Sequence, residues 1–268
     1  MQKKSFPMKK LIPSLILIFT FHAAFPCLIV VVTDGQRVLV GNHEDWFARD
    51  ARARFEPATD TTYGMVVFDF ESEGYAQGGM NTEGLFFDGT ATPFVPLDLS
   101  GKKDCNCYIW TEVLQHCSNV EEAIEFIRPY RLPDLEQVHL LFADRTGQSV
   151  IVGAYDGELT FTYRKRAYQI LTNFNVTDPE YGGEEACPRY GKALEILQVD
   201  SSATVEHVRN ILSLTHQEEL SVYSNIYDLT AGEVYIYSLA DFNRSVKFNL
   251  AEELSKGTHS YSVPGLFP

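Results

Sequence analysis

Cys27 stands at a junction in FHAAFPCLIVVVTDGQRVLVGNHEDWF, residues 21–47. Before it lies an apolar leader; after it come a β-branched run and the polar cluster GNHEDW. A thiol titrates near 8.5 and an α-amino group near 7.7–8.0. If cleavage makes Cys27 the first residue, one residue supplies both a nucleophile and a base, with no separate histidine. Such chemistry needs a rigid mount, and Leu28 to Val32 is a continuous apolar, β-branched run suited to a buried strand. Asp34-Gly35 then marks a hairpin turn, and Arg37 to Val40 returns as the second strand. A hairpin brings its ends together, so Asp45 lands near Cys27 as the residue that fixes amine or thiol. His43 and Glu44 resemble an acid–base pair, but neighbours on a strand point to opposite faces, and neither is assigned to catalysis. Trp46 and Phe47 are read as packing residues.

The elements around this hairpin follow from pattern. Residues 62–70 and 84–88 read as strands, joined by the glycine-rich EGYAQGGMNTEG. Tyr108 to His116 reads as a helix, and Ser118 with Glu121 as a capping box for a second one that ends near Pro129. Strand-like runs at 137–143, 148–154, 158–164 and 167–172 follow, then helices around 189–198 and 204–215, then strands near 222–228 and 233–239. Segments 48–62 and 175–187 read as loops that set the size of a pocket. Strands, helices, strands, helices, strands in that order predict an α+β fold with helices on largely antiparallel sheets. Residues 27–268 are expected to form one domain.

Composition bounds the rest. The chain has 268 residues, 45% of them hydrophobic, and a net charge of −14. Residues 1–26 carry Lys3, Lys4, Lys9 and Lys10 and a short apolar stretch, the pattern of an export signal and too short for a span of roughly 20 residues. Its removal takes the charge from −14 to −18. So acidic a chain repels phosphate backbones, which argues against nucleic acid and acidic membrane surfaces as partners. The expected location is periplasmic or secreted, with a homo-oligomer left open. Phe25-Pro26 directly before the cysteine fits poorly at an ordinary cleavage site, so the expectation is a cut near Ala24 and self-catalysed loss of Phe25-Pro26. The rival reading is a lipoprotein-type binding protein anchored through Cys27.

Four cysteines remain: Cys105, Cys107, Cys117 and Cys187. They allow three pairings, and the Cys105, Cys107, His116, Cys117 string lacks the tight spacing of a zinc site. Structural cysteines, free or paired, are the simpler reading. No metal or cofactor is expected.

A Cys heading a hairpin followed by G-x-x-x-D-W resembles the cysteine-type N-terminal nucleophile hydrolases. Within them the chain resembles the choloylglycine hydrolase, penicillin V acylase and acyl-CoA:6-aminopenicillanate acyltransferase group. The segments GMNTEGLFFDGT (79–90), ILTNF (170–174), CPRYGKALEIL (187–197) and YSNIYDLTAGEVYIY (223–237) are similar to that group's motifs, in the same order. The resemblance implies a four-layer αββα sandwich. It also implies a linear amide C–N hydrolase that cleaves an N-acyl small molecule through a thioester, with acyl transfer as a side activity. Residue by residue, Cys27 would be nucleophile and base, Asp45 would hold its amine or thiol, Asn173 would bond near the centre, and Arg189 would orient the cysteine. The oxyanion-donor position falls on Ala91, which offers only its backbone N–H, with Thr90 or Thr92 as hydroxyl substitutes. Asn42 stands where many members carry arginine and joins the binding set as an uncharged hydrogen-bonding residue. These departures keep an inactive family member as a further alternative.

Overall fold

Alternation along the first hairpin sets the architecture. The computed structural model describes residues 27–178, 187–218 and 220–268; the leader and most of the 175–187 loop therefore lie outside the described residues. Strands β1 (Leu28–Thr33) and β2 (Val38–Asp45) pair antiparallel with Leu28 opposite His43. Their turn is closed by Asp34, whose carboxylate accepts from the Gln36 and Arg37 N–H groups, and by Gly35 at φ +87°. Ile29, Val31, Val38 and Val40 face one way and Leu28, Val30, Val32 and Leu39 the other, each set into its own core. Both faces are covered, which is why the run is apolar without a break.

The remaining strands are β3 (Ala51–Glu56), β4 (Met65–Phe70), β5 (Ala76–Asn81), β6 (Phe86–Ala91), β7 (Val138–Ala143), β8 (Ser149–Tyr155), β9 (Glu158–Tyr163), β10 (Tyr168–Leu171), β11 (Ser221–Asp228), β12 (Glu233–Ser238), β13 (Val246–Asn249) and β14 (His259–Ser262). They form a six-stranded sheet, β10-β1-β2-β11-β12-β13, and an eight-stranded sheet, β14-β3-β4-β5-β6-β7-β8-β9. Adjacent strands in both run antiparallel. The sheets face each other across Ile29, Val31, Phe68, Phe86, Tyr223 and Tyr227. Helices α3 (Pro188–Val199) and α4 (Val205–Thr215) cover the outer face of the smaller sheet, and α1 (Ile109–His116) and α2 (Val120–Ile127) that of the larger. A short α5 (Leu250–Leu254) follows β13. The fold is the expected α+β sandwich, with layers in the order αββα. No helix among the described residues is long and apolar enough to cross a membrane.

Three local expectations are corrected. The segment 48–62 is not all loop, because β3 runs through it: Ala51, Ala53 and Phe55 point inward while Arg52 and Arg54 bind Asp69. Small and charged residues hide its period of two. The glycine-rich connection is itself β5, because neighbours press on it. A Cβ on Gly79 would lie 2.3 Å from the Val66 carbonyl oxygen, and one on Gly78 would lie 2.7 Å from Asp88 Cγ. The α2 cap is shifted by one residue: Asn119 accepts from the Glu122 N–H, and the Glu122 carboxylate reaches back to Ser118.

Candidate active site

Cys27 immediately precedes β1, 6% exposed, on the face that looks between the sheets. Antiparallel pairing of β1 with β2 returns Glu44 and Asp45 to it. Asp45 is fully buried and heavily partnered. Its carboxylate accepts from Arg189 Nη1 at 2.9 Å and Gln217 Nε2 at 2.9 Å, and from the Ser221 hydroxyl. Burial still raises its pKa above the usual carboxylate value, with Arg189, Ser221 and Gln217 opposing.

Arg189 is the hub. It enters from the first turn of α3, just after Pro188, which suits a first helical position because it lacks an N–H. Its Nη2 donates to the Cys27 carbonyl oxygen at 3.0 Å and to Asn173 Oδ1 at 3.1 Å, while Nη1 holds Asp45. Asn173 in turn donates from Nδ2 to the Ala91 carbonyl oxygen at 2.9 Å. Cys27, Asp45, Asn173, Arg189 and Ala91, scattered over the sequence, thus form one bonded chain. The Thr92 N–H donates to the carbonyl oxygen of Gln137, which immediately precedes β7, at 2.8 Å. Backbone groups alternate sides along a strand, so the Ala91 N–H faces away from β7, the side from which Asn173 arrives.

Two expected residues are bonded outside this chain. The Thr90 hydroxyl donates to the Thr172 carbonyl oxygen at 2.9 Å, so its one proton ties the two sheets together instead of serving as a free donor. Asn42 is 1% exposed and donates from Nδ2 to Asp88 Oδ2 at 2.5 Å, inside the sandwich.

The side-chain alternation along β2 holds. His43 lies on the helix side, its ring nitrogens 2.8 Å from Ser224 Oγ and 3.1 Å from Thr215 Oγ1, and burial first, then Arg189, pushes its pKa well down. Glu44, not assigned to catalysis from the sequence, points the other way: the Cys27 thiol donates to its Oε1 across 3.8 Å. The signal was available, since counting in twos from Val38 and Val40 puts Asn42 and Glu44 on the inward face. Gln217 and Ser221 were also missed, and nothing local marks them. Burial raises the Cys27 thiol well above its ordinary pKa, and the nearby Glu44, Asp45 and Asp88 charges add to this; a backbone hydrogen bond from Asp45 opposes them.

Trp46 stacks on Phe70 with ring centroids 6.1 Å apart, whereas Phe47 is 63% exposed. Cys105 and Cys107 form a disulfide, while Cys117 and Cys187 are free and buried. Among the described residues no cluster of His, Cys, Asp and Glu is arranged to hold a metal ion.

Comparison with known proteins places this geometry in context. The chain superimposes on penicillin V acylase from Agrobacterium tumefaciens with a TM-score of 0.63 at 17% identity, covering 79% of this chain and 82% of that one. A variant of conjugated bile acid hydrolase from Clostridium perfringens gives a TM-score of 0.65 at 16% identity, covering 88% and 96%. An N-acylethanolamine-hydrolyzing acid amidase ortholog from Caenorhabditis elegans gives 0.61 at 12% identity, covering 83% and 99%. Identities this low speak for a shared fold. No curated protein matches the chain. The pattern of one family does match, over residues 33–252: the chain belongs to the acyl-coenzyme A:6-aminopenicillanic acid acyl-transferase family.

Proposed function

We propose that this chain is an acyl-transfer enzyme that cleaves the linear amide C–N bond of an N-acyl small molecule, with Cys27 as nucleophile. One observation carries the reading: Arg189 binds the Cys27 carbonyl, Asp45 and Asn173 at once, so one cation fixes the residue that bears the thiol. Membership of an acyl-transferase family supports the reaction class. Amide hydrolysis is favoured over transfer by the solved neighbours, which are named as acylase, hydrolase and amidase.

In this reading the leader is removed on export and the freed Cys27 amine acts as base. Sulfur attacks the acyl carbonyl, the Ala91 N–H stabilises the oxyanion, the amine departs, and water resolves the thioester. One oxyanion donor is worth about 2.7–4 kcal/mol, and a backbone donor can supply it. Asp45 and Asn173 position Cys27 through Arg189.

The test is intact mass and N-terminal sequencing of the exported protein, followed by assay on N-acyl amino acids, bile-salt conjugates and penicillin V. A free Cys27 terminus and activity abolished by Cys27→Ala are expected. A diacylglycerol-modified Cys27, or a Cys27→Ala protein that still turns over, would sink the proposal.

A further inference from the structure

Cys105 and Cys107 are bonded to each other across a single residue, Asn106, in the connection between β6 and α1. So short a bridge brings the least loop-closure benefit a disulfide can give, because that benefit grows with the length of chain enclosed. The connection is also fastened without it. Before the pair, the Lys103 N–H donates to the Pro129 carbonyl oxygen and the Arg131 N–H to the Lys103 carbonyl oxygen, both at 2.8 Å. After the pair, the Tyr108 hydroxyl donates to the Ala76 carbonyl oxygen at 2.7 Å, and its ring lies 5.6 Å from that of Tyr75. Opening the disulfide would therefore release residues 104–107 and leave both anchors in place.

The two sulfurs differ in access. Asn106 and Cys107 are exposed, whereas Cys105 is half-buried and packs against the apolar cluster beneath α1 and α2. An incoming nucleophile meets Cys107 first. The turn is also locally positive in a chain of net charge −14. Lys102, Lys103 and Arg131 stand against Asp104, whose carboxylate lies 3.4 Å from Arg131 Nε. Lys102 Nζ donates to the Arg128 carbonyl oxygen at 3.0 Å, so Lys103 is the lysine closest to the pair in sequence. Cys117 and Cys187 are free but buried, and burial, with Glu122 adding to it, pushes the Cys117 thiol up to about 12. Neither is presented to a reagent in solution.

We infer that the Cys105–Cys107 bond is a thiol-exchange site, an accessible two-electron oxidant for low-molecular-weight thiols, with Lys103 favouring anionic ones. Exposed disulfides are the ones that exchange, whereas structural ones resist the glutathione pool. A thiolate attacks Cys107 Sγ, a new S–S bond forms to the incoming sulfur, and the Cys105–Cys107 bond breaks. Its electron pair leaves with Cys105 Sγ, which takes a proton from water. A second thiolate attacks the incoming sulfur of the mixed disulfide and expels the Cys107 thiolate, which is protonated in turn. Two small thiols are thereby oxidised to their disulfide, and the protein disulfide is reduced to a dithiol. The inference is independent of the chemistry proposed for Cys27.

The test takes the full protein through glutathione buffers of stepped reduced-to-oxidised ratio. Each sample is alkylated with N-ethylmaleimide in the folded state, then denatured, alkylated with the deuterated reagent and mapped by peptide mass. The expected result is light label on both Cys105 and Cys107 at the reducing end of the series, with Cys117 and Cys187 carrying heavy label, which reports that the fold stayed closed. Samples quenched early should carry glutathione on Cys107 in preference to Cys105. Lys103→Gln should slow the reaction with glutathione by roughly 3-fold and leave that with the cationic thiol cysteamine unslowed. A pair that stays oxidised in every buffer until denaturant is added would be a structural brace and would overturn the inference. So would a pair recovered from aerated solution as two free thiols. Equal slowing of glutathione and cysteamine, or none with either, would overturn the part given to Lys103.

Discussion

Glu44 and Asp45 are consecutive acids on one strand, and the fold treats them in opposite ways. Asp45 meets a guanidinium, an amide and a hydroxyl. Glu44 meets one thiol and the field of two other acids. The first arrangement is structural: a buried charge is tolerated because donors replace its water. The second leaves a carboxylate with few donors, and burial with the neighbouring acids raises its pKa well above the usual value, so it binds its proton more tightly. A strand delivers both from adjacent residues because its side chains alternate, so a well-partnered acid and a poorly partnered one can sit back to back.

The most severe way to break this contrast is to remove the cation from the positioning side. Arg189→Met should leave Asp45 buried without its charge partner and cost about 3–5 kcal/mol, read as a lower urea midpoint. A loss below about 1 kcal/mol would mean that Gln217 and Ser221 suffice, and that Asp45 is held no more tightly than Glu44. The poorly partnered side is probed by pH. Burial pushes Asp88 from 3.8 to about 8. A folded-state pKa above the unfolded one means that the folded protein keeps a proton which the unfolded chain releases. Stability from this source is therefore full below about 4 and lost as pH rises through about 8, with Glu44 acting in the same direction. The size is on the order of 1.4 kcal/mol for each unit of separation. Asp88→Asn should flatten that decline in urea titrations between pH 5 and 9; an equal slope in both proteins would show Asp88 to be ionised throughout. The smallest change sharpens the positioning side. Ser221→Ala removes one of several donors to Asp45 and should cost about 1.5 kcal/mol, with no shift in the pH dependence of Cys27 acylation.

Legibility in the sequence followed range. The first hairpin, its turn and the placement of Asp45 near Cys27 were readable because apolar runs, Asp34-Gly35 and period-two alternation are local signals. The layers followed from element order. Arg189 and Asn173 came only through resemblance, since nothing in CPRYG or LTNF says that these residues meet. Strands β3 and β5 were hidden by alanine, arginine and glycine, residues of low strand preference chosen for what lies opposite them: Asp69 for the arginines, Val66 and Asp88 for the glycines. Glu44 was left out of catalysis by the argument from strand alternation. Alternation separates it from His43, yet it turns Glu44 toward the thiol.

Thr90 and Asn173 make a reciprocal pair of fastenings. A side chain of the larger sheet grips the backbone at Thr172, and a side chain beside Thr172 grips the backbone at Ala91. Together they resist shear. A one-residue slip of either sheet would break both bonds, at roughly 1–3 kcal/mol for the pair. Shear between the sheets must therefore break these bonds before it can move Ala91 relative to Asn173 and Arg189.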